Sequence, residues 1–361
     1  MDITKIDENF AVGKFKDDGN TRYYAIPCAP FDLYGVFYEK ETERFVRMPS
    51  EIADKVSEGV AVLNSHTAGG RVRFSTDSRT VALIVTYASL TEMNHMPLTG
   101  SSGFVLLEET ENGYKHVHTF APEHTAAGKE NGFGFSQAFA AGDGTMKNYI
   151  MFFPLYNDVK SLTIGLDRTA AVAHGGKYKS VKPILYYGSS ITQGGCASRP
   201  DNSYQAVISK RNGIDFINLG FSGSGRAEPI MREYLSGIDC SVFVCDYDHN
   251  APDSAYLDKT HYALYETFRK KRPETPIVFI SKTDTEHDKD CKKRRGVIKK
   301  TYLRAIAEGD KNVYFIDGGT FFGKERNACT VDGCHPNDLG FIRMANKIGA
   351  VLDKIFSGKK L

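Results

Sequence analysis

The sequence predicts an all-β unit of β-sandwich or jelly-roll type over residues 1–170, followed by a parallel-sheet α/β/α sandwich over residues 180–361. Two rhythms in the apolar residues predict it. Before about residue 168, short alternating runs are broken by turn residues, and about ten strands can be counted without a long amphipathic segment. After about residue 180, strand-length apolar runs alternate strictly with helix-length amphipathic ones, the pattern of a parallel sheet covered on both faces. The stretch Arg168 to Val181, with Gly175-Gly176-Lys177, reads as the linker.

In the first half the clearest strands are Arg71 to Phe74, Thr80 to Tyr87, Ser102 to Leu107, Tyr149 to Phe153 and Ser161 to Leu166. Asp77-Ser78, Glu111-Asn112-Gly113 and Gly142-Asp143-Gly144 supply the turn chemistry between such runs. One short helix is expected, around Ser50 to Ser57. In the second half the strands are Ile184 to Tyr187, Phe216 to Leu219, Val242 to Cys245, Ile277 to Ile280 and Val313 to Ile316. Helices are expected near 203–213, 227–236, 254–271, 292–308 and 338–356.

Composition narrows the function classes. Lys plus Arg number 46 against 44 Asp plus Glu, a net charge of +2, which gives no electrostatic case for nucleic acid or an anionic membrane as partner. The basic run Lys292 to Arg295 is expected to be a solvated helix face. No stretch of roughly 18 apolar residues offers a membrane span. The N-terminal residues lack the apolar core of a signal peptide, and the seven cysteines are odd in number and scattered, so a cytoplasmic setting is expected. Their spacing with the ten histidines fits no zinc template, and no cofactor or metal is expected.

Ligands of a parallel α/β sheet sit beyond the carboxyl ends of its strands. The first strand runs into Gly188-Ser189-Ser190-Ile191, a turn that can expose a serine nucleophile or simply cap a helix. The second leads into Gly220-Phe221-Ser222-Gly223-Ser224-Gly225, which is neither a dinucleotide fingerprint nor a P-loop but can bring backbone N–H groups close to a carbonyl oxygen. The third ends Asp246-Tyr247-Asp248-His249-Asn250; the Asn amide is a candidate oxyanion donor, and the two aspartates are the alternative metal ligands. Before the last helix, Asp332 and His335 stand three apart in a loop, where a carboxylate can meet imidazole Nδ1 and leave Nε2 to accept a serine proton. Arg199, Arg226 and Asp284 lie near these loops and either reach substrate or pin the backbone. His66 and His95 of the first half are candidates to lean over the cleft.

Taken in order, these blocks resemble the SGNH (GDSL-like) hydrolase superfamily. Gly188-Ser189-Ser190-Ile191 is similar to its first block, with Ser189 in place of the usual aspartate; Gly223 and Asn250 fit the second and third, although the common Gly-x-Asn-Asp form is missing. Asp332-x-x-His335-Pro336 fits the last block. The resemblance implies a flavodoxin-like fold, a Ser190, Asp332, His335 triad, and an oxyanion hole of the Ser190 and Gly223 N–H groups with the Asn250 side chain. The first half resembles the sandwich domain named for a Gly-x-Asp-Leu-Tyr motif, in degenerate form at Gly103 to Leu107, where Val105 and Leu107 replace Asp and Tyr. The architecture is similar to that of carbohydrate acetyl esterases, which implies acetylated sugars, oligosaccharides or polysaccharides as substrates. Acyl transfer to a sugar, and carbohydrate binding beside a vestigial catalytic half, are the alternatives.

Overall fold

The computed structural model describes residues 6–7, 15, 17–123, 133–179, 182–283 and 289–358. In the second half five parallel strands stand in the spatial order Phe216–Gly220, Ile184–Gly188, Val242–Asp246, Ile277–Ile280, Val313–Ile316. Their near-continuous apolar sequences follow from burial on both faces. Ile184 and Tyr186 pack with Ile208, Phe341 and Met344 on one side; Leu185 and Tyr187 pack with Met231, Leu257 and Ile298 on the other. The covering helices are Tyr204–Asn212 and Asp338–Phe356 on the first side, and Pro229–Gly237, Ser254–Lys271 and Lys289–Ala307 on the second. Asp253 caps the helix that follows it by accepting from the Tyr256 N–H at 2.7 Å, and Asn337 caps the last helix through the Gly340 N–H at 3.1 Å. Because the chain moves outward from the first strand and then back across it, the ends of Ile184–Gly188 and Val242–Asp246 flank the topological switch point.

The first half is a sandwich of two antiparallel sheets. One runs Thr21–Ile26, Val159–Asp167, Thr80–Tyr87, Phe133–Ala140; the other runs Val172–His174, Arg71–Thr76, Lys147–Phe152, Phe104–Thr110, Gly113–Phe120, with Asp32–Tyr34 also paired to Arg71–Thr76. Val81, Leu83, Leu162 and Ile164 of the first sheet meet Phe74, Phe104, Leu106 and Met151 of the second in the sandwich core. Alternate residues of the second sheet, Val105, Leu107, Ile150 and Phe152, face the other way and join the core that holds Ile184, Tyr204 and Phe341. The two halves therefore share a core, and the apolar Val105 and Leu107 of the degenerate motif belong to it.

Three expectations are corrected. The linker is not free chain: Val172–His174 extends the second sheet beside Arg71–Thr76, and Tyr178 accepts from Arg71 Nε at 3.0 Å. One helix becomes two, Ser50–Val56 and Glu58–Asn64, because Ser57 Oγ caps the second through the Val60 N–H and Val60 is buried with Met231 and Leu235. The run Lys292 to Arg295 is not a solvated face throughout. Arg294 is buried, donates to the Asp248 and Ala251 carbonyls at 2.6 and 2.7 Å, and pairs with Asp290. No helix among the described residues is long and apolar enough to cross a membrane.

Candidate active site

Gly188 ends the first strand where a Cβ would lie 2.2 Å from the Asp246 carbonyl oxygen, so only glycine lets these strand ends meet. The chain then enters the short helix Ser190–Gln193, capped by Ser189, whose Oγ accepts from the Ile191 N–H at 3.2 Å. That turn presents Ser190 to the switch point.

Ser190 Oγ lies 2.9 Å from His335 Nε2, and His335 Nδ1 lies 2.7 Å from Asp332 Oδ2. The other carboxylate oxygen accepts from the His335 and Cys334 N–H groups at 2.7 and 3.0 Å. Partial burial raises the Asp332 pKa, but the His335 N–H and ring and the Cys334 N–H outweigh it and bring it down to about 2. An ionised Asp332 fixes the Nδ1–H tautomer of His335, which leaves Nε2 as acceptor for the serine hydroxyl. The Val331 N–H donates to the His335 carbonyl and the Cys196 N–H to the Pro336 carbonyl, which pins this loop at both ends.

Beside Ser190 lies the glycine-rich loop. Gly223 has φ +69°, and a Cβ there would meet nothing within 4 Å, so its backbone borders open space. Asn250 Nδ2 donates to the Phe221 carbonyl at 2.8 Å, which ties the third strand's loop to the second's and leaves the amide its second hydrogen. Arg226 Nε donates to the Gly223 carbonyl at 3.2 Å, so this arginine holds the loop.

The other expected site residues fare differently. Arg199 is engaged by Asp201 and Asn202, and Asp201 also binds Lys210 at 2.7 Å, so the structure gives it a loop-pinning place. Asp284 lies outside the described residues. Asp246 and Asp248 are both buried; burial, then the neighbouring Asp248, pushes the Asp246 carboxyl well up, and Asp248 Oδ2 accepts from the Lys282 N–H at 2.8 Å.

Sequence reasoning missed Gln193. Its Oε1 accepts from the Ser222 N–H at 2.9 Å, while Nε2 faces the Leu155 carbonyl at 3.2 Å and His66 Nδ1 at 3.3 Å. The first half thus supports the glycine-rich loop, helped by Arg47, which donates to the Asn218 and Gly220 carbonyls and lies 4.4 Å above the Phe221 ring. Burial first, then the Arg47 charge, lowers the His66 pKa to about 3, so its ring stays neutral. His95 leans over the cleft, its ring centroid 5.8 Å from that of His335. A glutamine three residues after a serine carries no motif signal, and only the fold brings His66 and Gln193 together.

A serine hydroxyl, an imidazole and an ionised carboxylate in this sequence, beside a glycine loop and an amide, have the chemistry of nucleophilic acyl transfer. The comparisons agree on the class. A structure described as a GDSL-like lipase from Bacteroides ovatus superposes with a TM-score of 0.83 at 28% identity, covering 94% of this chain and 98% of that one. A salicylyl-acyltransferase from a tetracycline biosynthetic pathway gives 0.75 at 18%, covering 92% and 98%. A family two carbohydrate esterase from Clostridium thermocellum, solved with cellohexaose, gives 0.59 at 14%, covering 80% and 93%. These last two likenesses bear on the fold. A search of curated proteins returned no match. Residues 21–172 match the model of the N-terminal domain of SGNH-hydrolase-type esterases, and residues 181–353 match that of the GDSL-like lipase/acylhydrolase family. By both halves and by its fold, the chain belongs to the SGNH (GDSL-like) hydrolases, in the two-domain form with an N-terminal β-sandwich.

Proposed function

We propose that this protein is a serine esterase that removes a small acyl group, acetyl in the first place, from a hydroxyl of a sugar, oligosaccharide or polysaccharide. The observation that carries the reading is the continuous contact from Ser190 Oγ through His335 to Asp332. In this mechanism Ser190 Oγ attacks the ester carbonyl carbon as its proton passes to His335 Nε2. The oxyanion is met by the Ser190 and Gly223 N–H groups and the second hydrogen of the Asn250 amide. The intermediate collapses, the sugar oxygen leaves with the proton from His335, and an acyl-Ser190 remains. Water, deprotonated by the same imidazole, then releases the acid and restores the serine.

The carbohydrate part of the reading is supported by fold neighbours described as carbohydrate esterases. Transfer of the acyl group to an acceptor alcohol instead of water is the second reading, favoured by the acyltransferase that shares the fold along most of both chains. Acetate release from acetylated sugars, measured with and without an excess of acceptor alcohol, separates the two. Ser190→Ala is expected to abolish release while the circular dichroism spectrum is unchanged; wild-type turnover in that variant would refute the assignment.

A further inference from the structure

The cleft holds a second arrangement, built around the same His335. His95, Cys196 and His335 each offer a donor atom, and the three atoms lie within 4.8 Å of one another. They come from separately anchored pieces of the fold. Cys196 is buried in the loop after the helix Ser190–Gln193, held by its N–H bond to the Pro336 carbonyl. That loop is clamped to the sandwich, where Thr99 Oγ1 donates to the Ser198 carbonyl at 2.7 Å and a Cβ on Gly100 would lie 2.2 Å from the Ala197 carbonyl. His95 is exposed in a tight turn closed by the Met96 N–H bond to the Met93 carbonyl. His335 Nδ1 is taken by Asp332, so the atom left to bind an ion is Nε2, the same atom that faces Ser190.

Two imidazoles and one thiolate are the donor set of zinc and its borderline-soft neighbours, and a poor one for calcium or magnesium. Zinc bonds of about 2.0–2.3 Å place tetrahedral donors about 3.3–3.8 Å apart. The cluster therefore needs to close by at most about an ångström, and the exposed His95 is the donor freest to move. The carboxylate behind His335 already has the carboxylate–histidine–metal arrangement that orients a ligand imidazole and raises its basicity.

We propose that His95, Cys196 and His335 form an inhibitory site for a zinc-type divalent cation, which on binding takes His335 away from Ser190. The Cys196 thiol gives its proton to solvent as the metal–sulfur bond forms, and no electron changes hands. A fourth position stays open to water. The inhibitory consequence rests on the esterase reading above; the site itself does not.

The test has two arms on the full-length protein, kept reduced with a non-chelating reductant. Zinc chloride is titrated into p-nitrophenyl acetate hydrolysis by the wild type, His95→Ala and Cys196→Ser. Expected are inhibition of the wild type at micromolar zinc, reversal by EDTA, and half-inhibiting concentrations about tenfold or more higher in both variants, each read against its own zinc-free rate. Equal zinc sensitivity in all three proteins would overturn the proposal, as would no inhibition of an active wild type. The second arm needs no activity. Cobalt(II) is added, and the near-ultraviolet thiolate-to-cobalt absorption is expected in the wild type, absent in Cys196→Ser and weakened in His95→Ala. Absence of that band from the wild type overturns the site whether or not the protein hydrolyses esters.

Discussion

The side-chain oxygen of Gln193 accepts the Ser222 N–H at 2.9 Å, so the residue that ends the serine-bearing helix also holds the neighbouring glycine-rich loop in place. Its amide nitrogen faces the Leu155 carbonyl and His66, which makes the loop's position depend on the sandwich half. Gln193→Ala frees Ser222 and, one residue on, lets the Gly223 N–H drift from the place proposed for the oxyanion. Removal of a whole oxyanion donor costs about 10²–10³ in turnover, and an indirect displacement less, about tenfold. Steady-state kinetics should show that loss in kcat with KM little changed. A rise in KM alone would mean that the loop serves binding and not the proposed transition state.

Asp332→Asn separates orientation from charge. The carboxylate accepts the His335 Nδ1–H and two backbone N–H groups, and an amide turned to keep those backbone bonds loses its hold on the tautomer. Turnover of p-nitrophenyl acetate should fall by about 10⁴, as for the corresponding change in serine proteases. Because the Asp332 carboxyl titrates near 2, it stays ionised wherever the protein is assayed, and loss of wild-type activity between pH 7 and 4 should not carry its signature. Wild-type turnover in Asp332→Asn would contradict the assigned role.

The α/β half was legible because burial on both faces of a parallel sheet leaves apolar runs that nothing else explains, and because two of its helices carry side-chain caps. Ser254–Lys271 begins after Asp253, and Asp338–Phe356 after Asn337, where the sequence expects them. Asp332 and His335 were legible as a pair because three residues of loop can close their contact locally. What stayed hidden depends on meetings between distant segments. Val105 and Leu107 read as ordinary strand residues, but their outward face is covered by the other half. Arg294 sits in a basic run that looks solvated, and only the fold shows the Asp248 and Ala251 carbonyls waiting for it. Gln193 and Cys196 belong to no motif, and the candidates His66 and His95 reach Gln193 and His335 only when the halves meet.

Asp248 gives a pH effect opposite in sign to that of Asp332. Burial raises its pKa to about 6, against the lowering influence of the Lys282 N–H, the Arg294 and Lys282 charges and the His249 N–H. A carboxyl whose folded pKa lies above its unfolded value binds more protons when folded, so its contribution to stability is full below about 4 and is lost as the pH rises through about 6. A rise from about 4 to about 6 corresponds to roughly 3 kcal/mol. Asp248→Asn keeps an oxygen for the Lys282 N–H and removes this titration. Urea unfolding at pH 4 and pH 7.5 should show the variant gaining on the wild type by the order of that amount at the higher pH. A constant difference between the two proteins would place the Asp248 pKa in the normal range.

Arg71 joins the two halves. Its side chain is fully buried, pairs with Asp215 before the strand Phe216–Gly220, donates to the Phe216 carbonyl at 3.0 Å and lies 3.9 Å above the Phe216 ring. Removing one partner of a buried ion pair leaves the other's charge uncompensated, at a cost of about 3–5 kcal/mol. Arg71→Ala should lose that much in urea titrations, whereas Arg71→Ala/Asp215→Ala should recover part of it, since no lone carboxylate is then left at the junction. The shared core of Val105, Leu107, Ile150 and Phe152 with Ile184, Tyr204 and Phe341 makes a further demand on the same experiment. Opening either half exposes apolar surface of the other, so wild-type calorimetry should give one heat-absorption peak for the whole chain. Two well-separated peaks would mean that the junction contributes too little to couple the halves, and Arg71→Ala would then shift only one of them.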